Sequence, residues 1–249
     1  MLVTGFPAGV FAANCYLVAP APGEQCVIVD PGQDAEGQIG ELLARYRLKP
    51  IAVLLTHGHI DHVWSVAPVC GARGIPAYVH PDDRALLADP AKGLALSVGQ
   101  QLFGGITFTE PDDVRELADG ETLTLGGCEF TVGHVPGHTP GSVTFRIGAP
   151  PDHPGRASAP AAAPAAPAAP IRADNSNTLF SGDLLFAGSI GRTDLPGGDD
   201  NAMLRSLART LTLPDDTLVL PGHGPQTTIG AERRTNPFLT GLQPARRGL

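Results

Sequence analysis

The stretch 51-IAVLLTHGHIDH-62 combines an apolar run with the densest group of potential metal-binding side chains in the chain. Ile51–Leu55 is a continuous apolar run, which is typical of a strand buried on both faces of a sheet. His57 and His59 lie two positions apart, so in extended chain they point the same way and can meet one metal ion. Asp61 and His62 follow where the chain turns into a helix and could face a second ion. Burying this cluster without a shared cation would be costly, so the stretch predicts a metal centre.

Three distant segments place another metal-ligating side chain in a similar setting, on a loop beside an apolar strand. They are the PGHTPGS turn around His138, the SGD triplet that ends at Asp183, and the PGHG turn around His223. Open α/β sheets gather their sites on such loops. A single histidine would favour the alternative of a surface residue or one satisfied by core hydrogen bonds. Four segments together supply five histidines and two aspartates, which is enough for two cations.

Outside these motifs the chain alternates strand-like and helix-like stretches. After the β-branched run Val27–Val29, Asp34 is expected to cap a helix whose apolar residues recur at helical spacing. A later helix is predicted from the shared face of Leu204, Leu207 and Leu211. Further strands are predicted at Ile75–Val79, Thr122–Leu125, Glu129–Val132, Ser142–Ile147, Thr178–Phe180 and Leu218–Leu220. This order favours an α/β architecture of mixed sheets between helices.

Charge and composition exclude several classes of protein. The net charge of −8 argues against non-specific nucleic-acid binding, which needs a basic surface. No apolar run approaches the ~20 residues that a membrane-spanning helix requires. We interpret Met1–Pro20 as a first strand and not as a signal peptide. The four cysteines are too few and too spread for a disulfide scaffold, so the expected location is the reducing cytoplasm.

An Ala/Pro-rich stretch interrupts the chain at about residues 149–175. Residues 157–170 contain only alanine and proline apart from Ser158, and this composition cannot form a side-chain core. We therefore predict a single domain over residues 1–249 with a low-complexity loop insert. A plain spacer is the favoured interpretation of the insert, and a partner-docking segment is the alternative.

The four motifs, in this order, resemble the metallo-β-lactamase superfamily in its dinuclear hydrolase branch. The resemblance runs from Asp30-Pro31-Gly32 to the end of the chain and implies an αββα sandwich with two metals at one edge of its sheets. It implies one ion held by His57, His59 and His138, a second held by Asp61, His62 and His223, and Asp183 bridging both. True β-lactamases of the superfamily commonly carry Cys or Ser at the bridging position, so the resemblance disfavours antibiotic hydrolysis.

Two further stretches, 188-GSIGRTD-194 and 232-ERRTNPF-238, resemble the short glyoxalase II-type thioester hydrolases, also called hydroxyacylglutathione hydrolases. Persulfide dioxygenases share parts of both, but their last histidine usually lies in an Ala-His-Asp-Tyr setting. The PGHG setting of His223 favours the hydrolase. Only 26 residues follow His223, whereas long glyoxalase II enzymes carry a helical C-terminal domain that grips glutathione, so the thiol carrier is left open.

The resemblance implies hydrolysis of S-D-lactoylglutathione or an equivalent 2-hydroxyacyl thioester by attack of a metal-bound hydroxide. Asp61 would orient or deprotonate the water, and Arg192 would bind an anionic part of the substrate, unless it forms a structural ion pair with Asp194. Zinc is the expected metal, and iron or manganese would tolerate the same ligands. The alternatives are a mononuclear iron persulfide dioxygenase, with Asp61, His62 and His223 dispensable, and a nucleic-acid-processing hydrolase. The expected partner is the small-molecule thioester, with no nucleic acid and no membrane.

Four residues near these motifs carry weaker predictions. His134 is interpreted as a plain strand-end residue, with a supporting role beside His138 as the alternative. His80 and His153 are expected at the surface. Trp64 follows the first motif and is expected to narrow the pocket.

Overall fold

The protein is described by a computed structural model that covers residues 1–94, 107–147, 177–239 and 242. The predicted insert at about 149–175 therefore lies outside the described residues, as does His153. The first sheet has six strands in chain order, of which the first three are antiparallel and the rest parallel. They are β1 (Leu2–Ala8), β2 (Ala13–Ala19), β3 (Gln25–Val29), β4 (Lys49–Leu54), β5 (Ala77–Val79) and β6 (Val114–Glu116).

The second six-stranded sheet has the order β14-β13-β10-β9-β8-β7. Its strands are β7 (Thr122–Leu125), β8 (Cys128–His134), β9 (Val143–Ile147), β10 (Thr178–Gly182), β13 (Leu218–Pro221) and β14 (Thr227–Thr228). A separate small hairpin consists of β11 (Leu185–Phe186) and β12 (Ser189–Ile190). Within the large sheet, β10 runs parallel to β13, so both strands end at the same edge.

The helices lie on the outer faces of the two sheets. They are α1 (Glu36–Tyr46), α2 (Ile60–Val63), α3 (Val66–Arg73), α4 (Pro81–Ala88), the short 3-10 helix Pro90–Gly93, α5 (Asp200–Thr210) and α6 (Ile229–Thr235). Within the described part of the chain, none of these helices has the length and apolar character to cross a membrane.

Side-chain alternation along the strands explains the layers. On β3, Cys26 and Ile28 pack in one buried cluster with α1 and α3, while Val27 and Val29 pack in a second cluster against the other sheet. The second sheet alternates in the same way, and its outer cluster includes residues of α5 and α6. Period-two alternation lets each sheet bury both faces. The order helix, sheet, sheet, helix is the αββα sandwich that the sequence predicts.

Three sequence predictions about local structure are wrong. Met1–Pro20 forms two strands joined by a tight turn, because Gly9 and Ala12 adopt positive φ angles between them. Asp34 does not cap α1: its own φ is +54°, and the residue at the cap position makes no side-chain cap bond. On α5, Leu207 is buried in the core, whereas Leu204 is 41% exposed. The two positions are about 60° apart around the helix axis, and Leu204 lies on the side that faces solvent.

Candidate metal centre

The first motif lies where β4 ends and α2 begins. Its three histidines are almost fully buried, although the chain is no longer paired in the sheet. The rings of His57 and His59 have centroids 4.9 Å apart, and those of His57 and His62 are 4.2 Å apart. Because α2 begins at Ile60, the side chains of Asp61 and His62 project from a helical turn that follows directly on the strand. The motif therefore offers ligands from an extended segment and from a helix.

The other three motifs bring their side chains to the same place. His138 lies on the loop between β8 and β9, Asp183 directly follows β10, and His223 lies two residues after the end of β13. His59 Nδ1 and His138 Nε2 are only 2.8 Å apart. His223 Nε2 lies 3.0 Å from Asp61 Oδ2, on the opposite side of the cluster. The structure thus gathers all seven predicted ligand residues at one edge of the two sheets.

Asp183 lies between the two groups of ligands. One carboxylate oxygen, Oδ2, is 3.5 Å from His138 Nε2 and 3.7 Å from His223 Nε2. The other oxygen, Oδ1, is 3.4 Å from His62 Nε2. The Asp183 carboxylate thus lies near histidines of both groups, which suits it to bridge two cations.

The side chains fit a pair of divalent cations. Three overlapping groups have one ligand atom from each residue within 4.8 Å of the others: His57, His59 and His138; His57, His62 and Asp183; Asp61, His62 and His223. His57 Nε2 and Asp183 Oδ1 are buried without a hydrogen-bond partner. A buried polar atom without a partner is costly unless a ligand satisfies it. Imidazole nitrogens and carboxylate oxygens are ligands of zinc, iron and manganese.

The electrostatics differ across the cluster. Burial, together with the neighbouring His138, lowers the pKa of His59 to about 3. Burial, together with the surrounding histidines, also lowers the pKa of His57. For His62, burial acts in the same direction but is outweighed by Asp61 and Asp183, which raise its pKa above the usual value. One side of the cluster therefore contains the neutral imidazoles of His57 and His59, and the other side contains acid–histidine pairs.

Asp30 holds residues of the first motif in place through hydrogen bonds. Its backbone lies at the end of β3, and its carboxylate accepts hydrogen bonds from the Thr56 backbone N–H at 2.8 Å and the Thr56 hydroxyl at 2.6 Å. It also accepts from His62 Nδ1 at 3.0 Å. His57 Nδ1 lies 3.1 Å from the same threonine hydroxyl. Such bonds fix the tautomer and orientation of ligating histidines, so their outer nitrogens point at the metal site.

Asp83, on α4, was not predicted from the sequence. Its buried carboxylate accepts from the backbone N–H of Gly58 and Gly141, both at 2.8 Å, and from the Thr139 hydroxyl at 2.6 Å. It therefore ties the first histidine motif to the loop of His138. The acidic first turn of a helix is common enough that the sequence carries no specific signal for this role.

Two motif glycines are required by close packing. A β-carbon at Gly222 would lie 2.2 Å from Asp183 Oδ1. A β-carbon at Gly58 would lie 2.7 Å from the Leu86 side chain on α4. Gly58 is not among the residues with positive φ, so its role is close approach to a helix and not a special turn.

A cavity of about 440 Å³ opens over the cluster. Its lining residues are Phe11, His59, Ile60, Asp61, Leu94, His138, Asp183, Phe186, Ile190, Arg192, Leu195 and His223. Arg192 lines this cavity and also forms a two-pronged ion pair with Asp194, with both N–O distances 2.6 Å. Both interpretations of Arg192 thus have structural support. Trp64 instead lines a separate groove with Phe108.

A second histidine group lies outside the centre. The rings of His80 and His134 are stacked with centroids 4.1 Å apart. His80 is mostly buried, which corrects the prediction of a surface residue. His134 ends β8, and its Nε2 bonds the Pro140 carbonyl at 2.8 Å, so it contacts the loop of His138 and not the ligand itself.

The sequence of this chain is similar to those of several known proteins. The profile of the Metallo-beta-lactamase superfamily matches residues 8–151 and 159–223. A Mycobacterium tuberculosis protein is 49% identical over 97% of this chain and 99% of its own length. "Probable metallo-hydrolase YqgX" of Bacillus subtilis is 35% identical over 95% and 96%. "Hydroxyacylglutathione hydrolase GloC" of Haemophilus influenzae is 33% identical over 94% and 95%.

Two solved structures have the same fold and substantial identity. BLEG-1, described as a B3 metallo-beta-lactamase, is 39% identical with a TM-score of 0.75, covering 96% of this chain and all of its own. TTHA1623, solved in a di-iron-bound form, is 40% identical with a TM-score of 0.69, covering 93% and 97%. These matches agree with the αββα layers and with the His/Asp cluster, which indicates a dinuclear metal site. The chain belongs to the metallo-β-lactamase superfamily and is a metal-dependent hydrolase.

Proposed function

We propose that this protein hydrolyses thioesters, with S-D-lactoylglutathione or an equivalent 2-hydroxyacyl thioester as the first substrate to test. The observation that carries the proposal is the composition of the cavity. Apart from Arg192, every ionisable side chain that lines it belongs to the metal-ligand cluster, so no spare acid is present among these residues to protonate a leaving group. A thiolate leaves without such help, because the pKa of a thiol is only about 8.5. The likeness to GloC supports the same chemistry.

The ligand set assigns the cofactor roles. His57, His59 and His138 would hold one cation, Asp61, His62 and His223 the other, and Asp183 would bridge them. Two bound cations would supply hydroxide at neutral pH and polarise the thioester carbonyl. Zinc is the proposed metal, with iron or manganese as alternatives, and the di-iron form of TTHA1623 keeps iron prominent.

Asp61 has a defined part in this reaction. Its carboxylate lies at the cavity wall beside His223 and is 20% exposed. Burial by itself would raise its pKa, but His62 and His223 outweigh burial and hold the pKa below its usual range. The carboxylate is therefore ionised and can orient the attacking water. In the overall step a C–O bond forms, the C–S bond breaks, and the water supplies the hydroxyl of the acid and the proton of the thiol.

The test combines metal content with turnover on one sample purified without chelators. We expect close to two ions per chain and hydrolysis of S-D-lactoylglutathione. One iron per chain, no hydrolysis and oxygen uptake with a persulfide would replace the proposal with the dioxygenase. A nucleic-acid substrate is disfavoured because the only cation among the lining residues, Arg192, is already paired. We also propose a reducing compartment, the cytoplasm, because all four cysteines are unpaired.

β-Lactam hydrolysis is a second candidate, favoured by one observation. BLEG-1, at 39% identity over nearly the whole chain, is described as a B3 metallo-beta-lactamase. The same preparation can be assayed with nitrocefin, a chromogenic cephalosporin. Turnover of nitrocefin with no thioester turnover would make the lactamase the better assignment.

A further inference from the structure

The cavity over the metal centre has two chemically distinct parts. Of its twelve lining residues, five belong to the ligand cluster and one is Arg192. The other six are apolar: Phe11, Ile60, Leu94, Phe186, Ile190 and Leu195. None of the twelve carries a hydroxyl or a carboxamide side chain. Within the described residues, an amide or hydroxyl group of a substrate therefore has almost no side-chain hydrogen-bond partner beyond the metal ligands.

The one arginine offers little to an anionic thiol carrier. Both nitrogens of Arg192 that face Asp194 are engaged, and the two side chains are 61% and 67% exposed. An exposed ion pair is screened by solvent and contributes little to binding energy. A carboxylate of the substrate would have to compete with Asp194 for the same guanidinium group. Charge recognition is thus weak at this site.

The apolar part extends outward to the rim. Phe11 lines the cavity and is 44% exposed, and its neighbour Val10 is 84% exposed. They form the tip of the β1–β2 hairpin, and Asn14 anchors that hairpin to the loop of His223 by donating to the carbonyls of Pro221 at 3.0 Å and Gly224 at 2.9 Å. At the mouth of the site these two adjacent side chains offer apolar contact to a ligand.

A second apolar part of the lining is held in place by hydrogen bonds with α6 and the residue that follows it. Phe186 and Ile190 belong to the β11–β12 hairpin. The buried Glu232 accepts a hydrogen bond from the Gly188 N–H at 2.8 Å, and the buried Asn236 donates to the Ser189 carbonyl at 3.0 Å. The ERRTNPF segment therefore fixes the hairpin that presents this wall. A preformed apolar wall binds without an ordering cost.

We propose that the site selects thioesters that carry an apolar group, an aliphatic or aromatic chain, and gains little from the charges of the thiol carrier. The inference rests on the proposed thioester hydrolysis and names the substrate class of that same site. The apolar group lies between the rim at Phe11 and the wall at Phe186 and Ile190, with the thioester carbonyl at the metal cluster. Either the acyl chain or the thiol can supply this group.

The experiment compares kcat/KM on the metal-loaded enzyme, each value divided by the rate of alkaline hydrolysis of the same thioester. S-acetylglutathione and S-hexanoylglutathione test the acyl side. S-acetylglutathione and S-butyl thioacetate test the thiol side. We expect the enzyme to prefer the hexanoyl over the acetyl group, or the butyl thiol over glutathione, by about tenfold or more. Added methylenes in an apolar pocket discriminate at this level. Equal normalised values in both pairs would overturn the inference.

A variant pair ties the preference to the wall. Phe186→Ala should reduce the chain-length preference at least about threefold, because about one aromatic side chain of apolar contact is lost. Leu204→Ala removes an exposed leucine that does not line the cavity, and it should keep the preference. An unchanged preference in Phe186→Ala would also count against the inference. No hydrolysis of any thioester, S-D-lactoylglutathione included, would instead refute the proposed function.

Discussion

The two halves of the metal centre solve different problems. His57, His59 and His138 form a triad of buried imidazoles, and burial depresses the pKa of the first two. The other half mixes Asp61 with two histidines and faces the cavity, where the His223 side chain is 30% exposed. The neutral, buried imidazoles of His57 and His59 can take up a cation without releasing protons. The mixed half is more charged and more exposed, and it contains Asp61, which we propose orients the attacking water.

Histidines in the mixed half bind protons more tightly than usual. Burial alone would lower the pKa of His223, but hydrogen bonding to Asp61 and the charge of Asp183 raise it. For His62, both carboxylates have the same effect. Protons therefore compete with a cation here but not at His57 and His59, whose pKa values are lowered. Two neighbouring ligand sets can thus differ in how strongly they respond to pH.

The largest loss of activity is expected when Asp183 is replaced, because we propose that this residue binds the cations of both halves. Asp183→Asn should lower kcat by more than about 100-fold, since the loss of a ligand exceeds the loss of a supporting contact. Metal analysis should show a fall from two ions towards one. Asp216→Asn, which changes an exposed carboxylate that does not line the cavity, is the control. Full activity of Asp183→Asn would show that the halves do not act together.

Asp83 offers a way to weaken the triad half alone. Asp83→Asn replaces an acceptor oxygen with an amide group that faces N–H donors, so the loops of His59 and His138 should separate. We expect about 10- to 100-fold weaker binding of one ion, measured by chelator competition. The matched control is Asp82→Asn, its exposed neighbour on α4. Equal weakening of both ions in Asp83→Asn would contradict the division into halves.

The pH dependence of metal affinity should also separate the halves. Raised pKa values at His62 and His223 mean that protons are bound below those values and must leave when the cation binds. Affinity of the mixed half should therefore rise with pH, by about tenfold per pH unit for each displaced proton. The ion held by His57 and His59 should respond less between about pH 5 and 7, because the depressed pKa values of these two histidines keep them neutral. Titration with zinc at several pH values measures both affinities, and parallel curves would contradict the difference between the halves.

The smallest effect is expected at the rim. Arg192→Ala should change kcat/KM for S-D-lactoylglutathione by only about two- to threefold, because an exposed, already paired guanidinium contributes little. Its backbone carbonyl still accepts from His138 Nδ1, so the ligand keeps its orientation. A loss above about tenfold, seen with glutathione thioesters only, would show direct recognition of the carrier by this arginine.

Much of the fold was predictable because local patterns agree with it. The strand Thr122–Leu125 was predicted with its observed bounds, and the apolar run at Ile51–Leu55 does precede the ligands as a strand. The N-terminal hairpin was missed because Gly9 is the one glycine in its turn, and the other residue with a positive φ, Ala12, is not a typical turn residue. The structure also corrects the interpretation of Leu204, whose spacing fits the helix but whose side chain faces solvent.

By itself the sequence determined which residues can bind metal, because histidines and aspartates in glycine-rich turns after apolar strands have few other uses. It also determined the layered fold, since alternation and periodicity are local properties. Only the tertiary structure decided that Asp83 joins two motifs 25 and 58 residues away, counting to Gly58 and Gly141. The tertiary structure also shows that the two halves of the metal centre differ in charge, and that one wall of the cavity is apolar. These features depend on burial and on distances between remote segments, which no local pattern of residues specifies.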